Sequence, residues 1–189
     1  DVSGWPLEDL EHMNSLRSLQ ILKIDRVVQF TRAQEAALEM KSHLTQLDLC
    51  GSTSDMHLHV PAAEARRLHG VLNSLCPPGC LESLKIASYH GRLFPDWLPQ
   101  LPSLQRLVLA DCKFCESLPC LGQLPQLKFL TITGFSKLLT IQRGRYTGPA
   151  FLKLEHLHVD DMDKLESWTG FQTGDFPSLI KFHLDSCPN

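Results

Sequence analysis

The sequence predicts an α/β solenoid, because one short pattern of leucines returns along the whole chain at intervals of 23 to 37 residues. The pattern is most complete where Leu104, Leu107, Leu109 and Cys112 form L-x-x-L-x-L-x-x-C, and its next copy begins 23 residues later at Leu127. A period of roughly 20 to 29 residues is typical of leucine-rich repeats, each of which supplies one short strand. We therefore expect a leucine-rich-repeat horseshoe. Its concave side should be a parallel sheet of about seven short strands, and its convex side should be irregular or short-helical.

Seven segments of the chain fit the strand of such a repeat. Each begins at a leucine, which we call the marker leucine, and two further apolar residues follow it at fixed offsets. Because side chains alternate between the two faces of a strand, these two residues should point into the solenoid and their neighbours should point out. The predicted strands are 19–24, 44–49, 81–86, 104–109, 127–132, 154–159 and 179–184.

The segment after the first strand predicts a short convex helix. Thr31 and Gln34 have the spacing of a capping box, which marks a helix start. The residues that follow place Ala33, Ala37 and Met40 on one helical stripe, which we expect to be the buried one.

The longest step, between the second and third strands, holds a predicted helical insertion at about 61–76. Apolar residues share one helical face until a Pro-Pro-Gly sequence ends the pattern, and these residues are Ala65, Leu68, Leu72 and Leu75. The loop after the third strand carries the large apolar residues Phe94, Trp97 and Leu98, which should pack under the strands on the convex side.

Composition and charge argue against several classes of partner. The 189 residues are 43% hydrophobic and 21% charged, as in a globular domain, and the net charge is −3 with scattered lysines and arginines. Such a chain has no basic footprint for nucleic acid, and no apolar run is long enough to span a membrane. Seven cysteines without an N-x-S/T sequon favour a reducing compartment. We expect the protein in the cytoplasm, with the nucleus left open.

The ends of the sequence also carry an expectation. The chain begins without methionine, and its last residues read as the middle of a repeat. We therefore take 1–189 as a single leucine-rich-repeat array that is a piece of a longer protein.

Three blocks of the sequence resemble one family. The segments 33–49, 71–98 and 112–132 are similar to conserved blocks in the leucine-rich-repeat region of plant intracellular immune receptors, the coiled-coil, nucleotide-binding, leucine-rich-repeat disease-resistance proteins. The resemblance covers about 16–187. One departure is Cys50-Gly51-Ser52, which stands where these receptors commonly carry a tryptophan.

The resemblance implies a function in protein recognition. In such a receptor the repeats sense a pathogen effector or a guarded host protein, and they restrain an adjacent nucleotide-binding domain. That domain, with its G-x-x-x-x-G-K-S/T loop, is missing here, so we expect no cofactor in this fragment, and ADP or ATP only in the missing domain. Two alternatives stay open: a substrate-recruiting repeat domain of a ubiquitin ligase, and the ectodomain of a membrane receptor. We expect no enzyme activity, because no nucleophile elbow or strained glycine turn marks a catalytic site.

The outward positions of the predicted strands are the candidate protein-binding residues. Charges of both signs surround Phe129 beside Val108, which is the mixture of apolar anchor and polar rim found at protein interfaces. The candidate residues of the concave face are Lys23, Asp25, Gln46, Asp48, Lys85, Arg106, Val108, Phe129, Thr131, His156, His158, Asp160, Lys181, His183 and Asp185.

Two groups of side chains have the residue types of metal sites. Cys112 and Cys115 have the spacing of half a zinc site, but a lone C-x-x-C without a partner pair is a weak signal. His158 and His183 should lie on adjacent strands close to Asp160 and Asp185, and the four side chains could meet at a metal ion. We interpret these histidines and aspartates as a solvated contact surface, since exposed polar strand faces are common, and we assign no metal ligand in either group.

Overall fold

The computed structural model describes residues 7–27, 30–53, 60–144 and 148–187 of the chain. Its main feature is a seven-stranded parallel sheet in which successive repeats lie side by side, in the order β1-β2-β3-β4-β5-β7-β9. A second parallel sheet pairs β6 with β8. The strands are β1 (Ser18–Leu22), β2 (Gln46–Cys50), β3 (Ser83–Ala87), β4 (Arg106–Ala110), β5 (Phe129–Thr133), β6 (Thr140–Gln142), β7 (His156–Asp160), β8 (Ser167–Thr169) and β9 (Lys181–Leu184). This topology confirms the predicted leucine-rich-repeat solenoid.

The inward side chains of the sheet form the centre of the core. Register aligns Leu47 with Leu84, and Leu84 with Leu107, so that like residues stack from one repeat to the next. All three side chains are fully buried. Burying a leucine contributes about 1.5 to 3 kcal/mol, so the stacked rows are the main source of stability, offset largely by the entropy of ordering the chain.

The last strand differs from the others in its burial. Phe182 and Leu184 of β9 occupy inward positions, opposite Leu157 and Val159 of β7, yet they are 52% and 50% exposed. The equivalent residues of β7 are buried because a further strand packs beside them. In the described part of the chain β9 is an edge strand, so its apolar pair keeps the predicted inward position but has no further strand beside it.

The strands from β2 onward begin two residues later than predicted. The marker leucine of each repeat lies in the turn before the strand: the N–H of Leu44 donates to the carbonyl of Lys41 at 2.9 Å, and that of Leu154 donates to the carbonyl of Phe151 at 3.2 Å. Their N–H groups are used within the turn and are not available to a neighbouring strand. The marker leucines before β2, β3, β4, β5 and β7 are nevertheless buried, and Leu179 before β9 is half-buried, which explains why the repeat pattern includes them.

The predicted register of the first repeat is wrong. Leu19 lies opposite Leu47 and Ile21 lies opposite Leu49, whereas the sequence pattern had assigned Leu22 to an inward position. Leu22 is 61% exposed. The run LQILKI contains two apolar pairs, Leu19 with Ile21 and Leu22 with Ile24, that are three residues apart. A shift by an odd number of residues exchanges the two faces of a strand.

The first helix, α1 (Phe30–Glu35), is shorter than its pattern predicted. The chain leaves the helix at Ala37, which adopts a left-handed conformation with φ of 46°, and a 3-10 turn follows. Ala33 and Ala36 are buried, whereas Met40 is 72% exposed, so the predicted stripe is wrong. Thr31 is the second residue of α1 and does not precede the helix. The helical period therefore did not extend past Glu35.

The second helix, α2 (Ala62–Ser74), confirms the predicted helical insertion. It buries Ala65, Leu68, Val71 and Leu72. At its end the Trp97 indole Nε1–H donates to the carbonyls of Leu72 at 3.3 Å and Asn73 at 3.1 Å, and the Leu72 carbonyl also accepts the N–H of the C-cap residue Leu75 at 3.2 Å. Phe94, Trp97 and Leu98 are buried, as the sequence predicts.

Short 3-10 turns complete the connections, at Leu7–His12, Ile24–Arg26, Leu38–Met40, Leu98–Gln100 and Leu121–Gln123. Among the helices that the structure describes, none combines the length and apolar character that crossing a bilayer requires.

Candidate protein-binding surface

The outward side chains of the large sheet form three rows that cross its strands. We call the first two rows together the open face; the third row, from Leu22 to Asp160, lies at the ends of the strands. The first row consists of Ser18, Gln46, Ser83, Arg106, Phe129, His156 and Lys181. The second row consists of Gln20, Asp48, Lys85, Val108, Thr131, His158 and His183.

Nearly all the predicted surface residues from β2 onward lie in these two rows. Asp160 lies at the end of β7, opposite Thr133, and Asp185 directly follows β9. The sequence reasoning missed Ser18 and Gln20 because of the error in the first repeat. It also omitted Ser83, which the fixed offset from the marker leucine could have identified.

Two predicted residues, Lys23 and Asp25, do not lie on the open face. Lys23 follows β1 in a left-handed conformation with φ of 59°, and Asp25 belongs to the 3-10 turn after it. Asp25 accepts hydrogen bonds from the Ser52 backbone N–H at 2.6 Å and from the Ser52 hydroxyl at 2.8 Å. Its role is to connect the first repeat to the second.

The centre of the open face carries three stacked side chains, the Arg106–Phe129–His156 stack. The guanidinium carbon of Arg106 lies 4.3 Å from the centroid of the Phe129 ring. On the other side of that ring the His156 imidazole stacks at a centroid distance of 5.1 Å, with the planes 23° apart. Parallel strands about 4.8 Å apart bring equivalent side chains into this range. The stack fixes a flat, partly apolar surface with a cation at one end.

The two histidines of the second row also stack. The rings of His158 and His183 lie 4.6 Å apart between centroids, with their planes 9° from parallel. His158 Nε2 lies 4.0 Å from Asp160 Oδ2. The lone pairs of imidazole nitrogens lie in the ring plane, so two parallel rings direct them side by side and not toward one point. Across the described ranges no group of three or more His, Cys, Asp and Glu side chains is arranged to hold a metal ion.

The cysteines of the C-x-x-C sequence are buried thiols. Cys112 Sγ contacts the Ala110 carbonyl at 3.4 Å, and Cys115 Sγ contacts the Gly91 carbonyl at 3.3 Å. Burial, together with the neighbouring Cys112, raises the pKa of the Cys115 thiol well above its usual value. Zinc binds thiolates, so this environment disfavours the species that a zinc site needs. The remaining five cysteines are free thiols as well.

A parallel sheet built from leucine repeats, with one face buried and the other open to contact, defines a leucine-rich-repeat solenoid. Residues 7–135 match the family described as R13L1/DRL21 LRRs, and the chain belongs to this family. This membership confirms the resemblance to the leucine-rich-repeat region of plant disease-resistance proteins.

Known relatives of the chain are also named as disease-resistance proteins. The chain is 37% identical over 204 residues to RPP13-like protein 1, a protein named for disease resistance in Arabidopsis thaliana, with 98% of this chain and 19% of the relative covered. It is 29% identical over 196 residues to disease resistance protein RGA2 of Solanum bulbocastanum, with 98% of this chain and 20% of the relative covered. The chain thus spans about a fifth of the length of these relatives. None of the solved structures matches the chain.

Proposed function

We propose that this array is the recognition module of a plant disease-resistance protein and acts by binding, not by catalysis. Its open face contacts a pathogen effector or a guarded host protein. The array also holds an adjacent nucleotide-binding domain in its resting state, and ADP or ATP binds to that domain and not to the repeats. The site of action is the cytoplasm, with the nucleus left open.

The open face is the observation that supports this proposal. It offers two rows of partly exposed side chains on a rigid sheet, with Phe129 packed between Arg106 and His156 at its centre. Aromatic and arginine side chains are enriched at the centres of protein interfaces. The names of the relatives favour disease resistance over the recruitment of substrates to a ubiquitin ligase.

Recognition and restraint can be linked through one equilibrium. A partner that binds the array better when the nucleotide-binding domain is released shifts the population toward the released state. The shift is limited by the difference between the two binding free energies. Restraint is the resting position of this equilibrium and recognition is its shift by the partner. A variant can change one without the other, so each can be tested by itself.

The test expresses the full polypeptide that carries this array in leaf tissue. Deleting the array should raise resting cell death, because the nucleotide-binding domain loses its restraint. Phe129→Ala should keep restraint but reduce the response to a pathogen isolate that triggers cell death through the intact polypeptide. Immunoblotting verifies equal protein levels.

Met40→Ala is the matched control, since Met40 is a large, exposed apolar residue away from the open face. It should respond like the unmodified protein. The proposal fails if Phe129→Ala and Met40→Ala respond alike, or if deleting the array changes neither the resting state nor the response.

A further inference from the structure

We infer, building on the proposed function above, that the open face binds an acidic segment of its partner. A carboxylate of that segment is anchored at Arg106 and a second one at Lys181. An apolar side chain between them covers Phe129 and His156. The inference names the chemistry of the partner and the residues that recognise it.

The charge distribution of the first row favours an acidic partner. From Ser18 to Lys181 this row contains no carboxylate, and its two permanent cations are Arg106 and Lys181. Among the described residues neither of them forms a salt bridge; the nearby Lys128 pairs instead with Glu155, at 3.2 Å. The carboxylates of the sheet lie elsewhere, with Asp48 in the second row and Asp160 at the end of β7. The first row therefore complements a negative partner.

The position of the Arg106 guanidinium favours binding of a carboxylate. The central carbon of the guanidinium lies 4.3 Å from the centroid of the Phe129 ring, and a guanidinium that stacks on an aromatic ring keeps the N–H donors at its edge for a carboxylate. Arginine binds carboxylates through two parallel N–H donors in this plane. Because the stack already limits the motion of the side chain, less entropy is lost when a carboxylate binds. Lysine at this position would lack both the flat face and the paired donors.

The distance between Arg106 and Lys181 predicts the spacing of the carboxylates in the partner. Arg106 lies on β4 and Lys181 on β9, three strand intervals apart in the sheet, which corresponds to about 14 Å. An extended peptide advances about 13 to 14 Å over four residues, and alternate residues face the same side. Carboxylates four residues apart thus match the two cations. The residue midway between them faces the Phe129 and His156 rings.

A defined probe tests the inference. The ligand is a fluorescein-labelled extended peptide with glutamate at its first and fifth positions, leucine at its third and alanine elsewhere. A control peptide has the same composition with its two glutamates adjacent. Binding to the full polypeptide is measured by fluorescence anisotropy at low and high salt. The spaced peptide should bind more tightly than the control, and high salt should weaken its binding.

Variants assign the binding to the proposed residues. Arg106→Gln should weaken binding of the spaced peptide about tenfold, as expected for losing one charge-assisted hydrogen-bonded pair. The affinity of Arg106→Lys for the spaced peptide should lie between those of the unmodified protein and of Arg106→Gln. Arg66→Gln is the control, since Arg66 is an exposed arginine of α2, away from the sheet. The inference is overturned if the intact polypeptide does not bind the spaced peptide, if both peptides bind equally, or if Arg106→Gln and Arg66→Gln behave alike.

The leaf assay separates this inference from the proposed function. If Arg106→Gln reduces the response to the pathogen isolate without changing peptide binding, recognition by the open face stands and the acidic partner is wrong. If Phe129→Ala leaves the response intact while the peptide results hold, the carboxylate anchor stands and the proposed function fails.

Discussion

Arg143 and Asp175 form a buried ion pair between segments that are 32 residues apart. Arg143 Nε lies 2.8 Å from Asp175 Oδ2, and the two side chains are 6% and 2% exposed. The Asp175 carboxylate also accepts the backbone N–H groups of Ala150 at 2.7 Å and Gln172 at 2.9 Å, and Arg143 donates to the carbonyl of Gly148. The pair joins the connection after β6 to the connection before β9.

Removing one member of this pair should destabilise the fold strongly. Asp175→Asn removes the carboxylate from the buried pair with Arg143, and such changes cost about 3 to 5 kcal/mol. Glu155→Gln is the matched control, because it breaks the solvent-exposed pair with Lys128, which should cost about 1 kcal/mol or less. Urea unfolding gives the free energy of unfolding for each variant. Equal losses for the two variants would contradict the importance of the buried pair.

The same pair predicts a loss of stability in acid. Burial acts to raise the pKa of Asp175, but the N–H groups of Ala150 and Gln172 and the Arg143 guanidinium outweigh it and hold the pKa below its usual value. The unfolded chain, with a pKa of about 3.9 at such a residue, therefore binds the proton more readily than the native state does. The stabilisation is present above about pH 4 and is lost as the pH falls through the lower, folded-state pKa.

Urea midpoints between pH 7 and pH 3 measure this contribution. The stability of the unmodified protein should fall more steeply below about pH 4 than that of Asp175→Asn, which has no carboxylate to titrate at this position. Parallel curves for the two proteins would exclude Asp175 as a source of the acid sensitivity.

Neighbouring residues of β4 should respond in opposite ways to a charge. Leu107 is fully buried between Leu84 and Leu130, so Leu107→Asp places an uncompensated carboxylate in the core and should give aggregated protein. Val108→Asp is the control, because Val108 faces outward beside Lys85 and should accept the charge. Size-exclusion chromatography of the expressed proteins distinguishes them. A monodisperse, folded Leu107→Asp protein would refute the assignment of the two faces.

Two glycines should also respond in opposite ways to alanine. A Cβ atom at Gly51 would lie 1.9 Å from the carbonyl oxygen of Ser88, so Gly51→Ala must displace backbone and should destabilise by about 1 to 3 kcal/mol. At Gly70, inside α2, a Cβ would meet nothing within 4 Å. Gly70→Ala should therefore stabilise by about 0.5 to 1 kcal/mol through its helix propensity. Thermal unfolding compares the two, and a Gly51→Ala protein as stable as the unmodified one would show that the repeats approach less closely.

The stacked histidines predict the outcome of a zinc titration. A zinc ion lies about 2.0 to 2.1 Å from each imidazole nitrogen, so two ligating rings must direct their nitrogens toward one point. His158 and His183 are parallel and do not. Calorimetric titration should give the same heat for the unmodified protein and for His183→Ala. Zinc binding that disappears in His183→Ala would show that the rings rearrange around a metal.

The leucine pattern predicted the strands well because each strand is a local feature. The marker leucine and its two followers reflect a burial requirement that each repeat must meet, so the spacing located β2 to β9 of the large sheet within two residues. The pattern failed at β1, where Leu19, Ile21, Leu22 and Ile24 satisfy two registers equally. Only pairing with β2 decides between those registers.

The candidate surface was predicted in composition but not in geometry. The sequence placed Arg106, Phe129 and His156 at outward positions, and alternation along a strand is sufficient for that. It did not indicate that their side chains would stack, since ring distances and angles depend on rotamers and on the spacing of strands from three repeats. The pair of Arg143 and Asp175 and the sheet of β6 and β8 were also missed, because irregular connections carry no period.

The amino-acid sequence by itself determined the kind of protein this is: a parallel stack of leucine-rich repeats whose hydrophobic period fixes which residues point inward. Tertiary structure decided the register of the first repeat, the burial of the ion pair and the shape of the open face. The physical reason is the distance along the chain over which each effect acts. Alternation and hydrophobic spacing act within a few residues, whereas registers, ion pairs and side-chain stacks depend on which segments meet after the repeats have packed together.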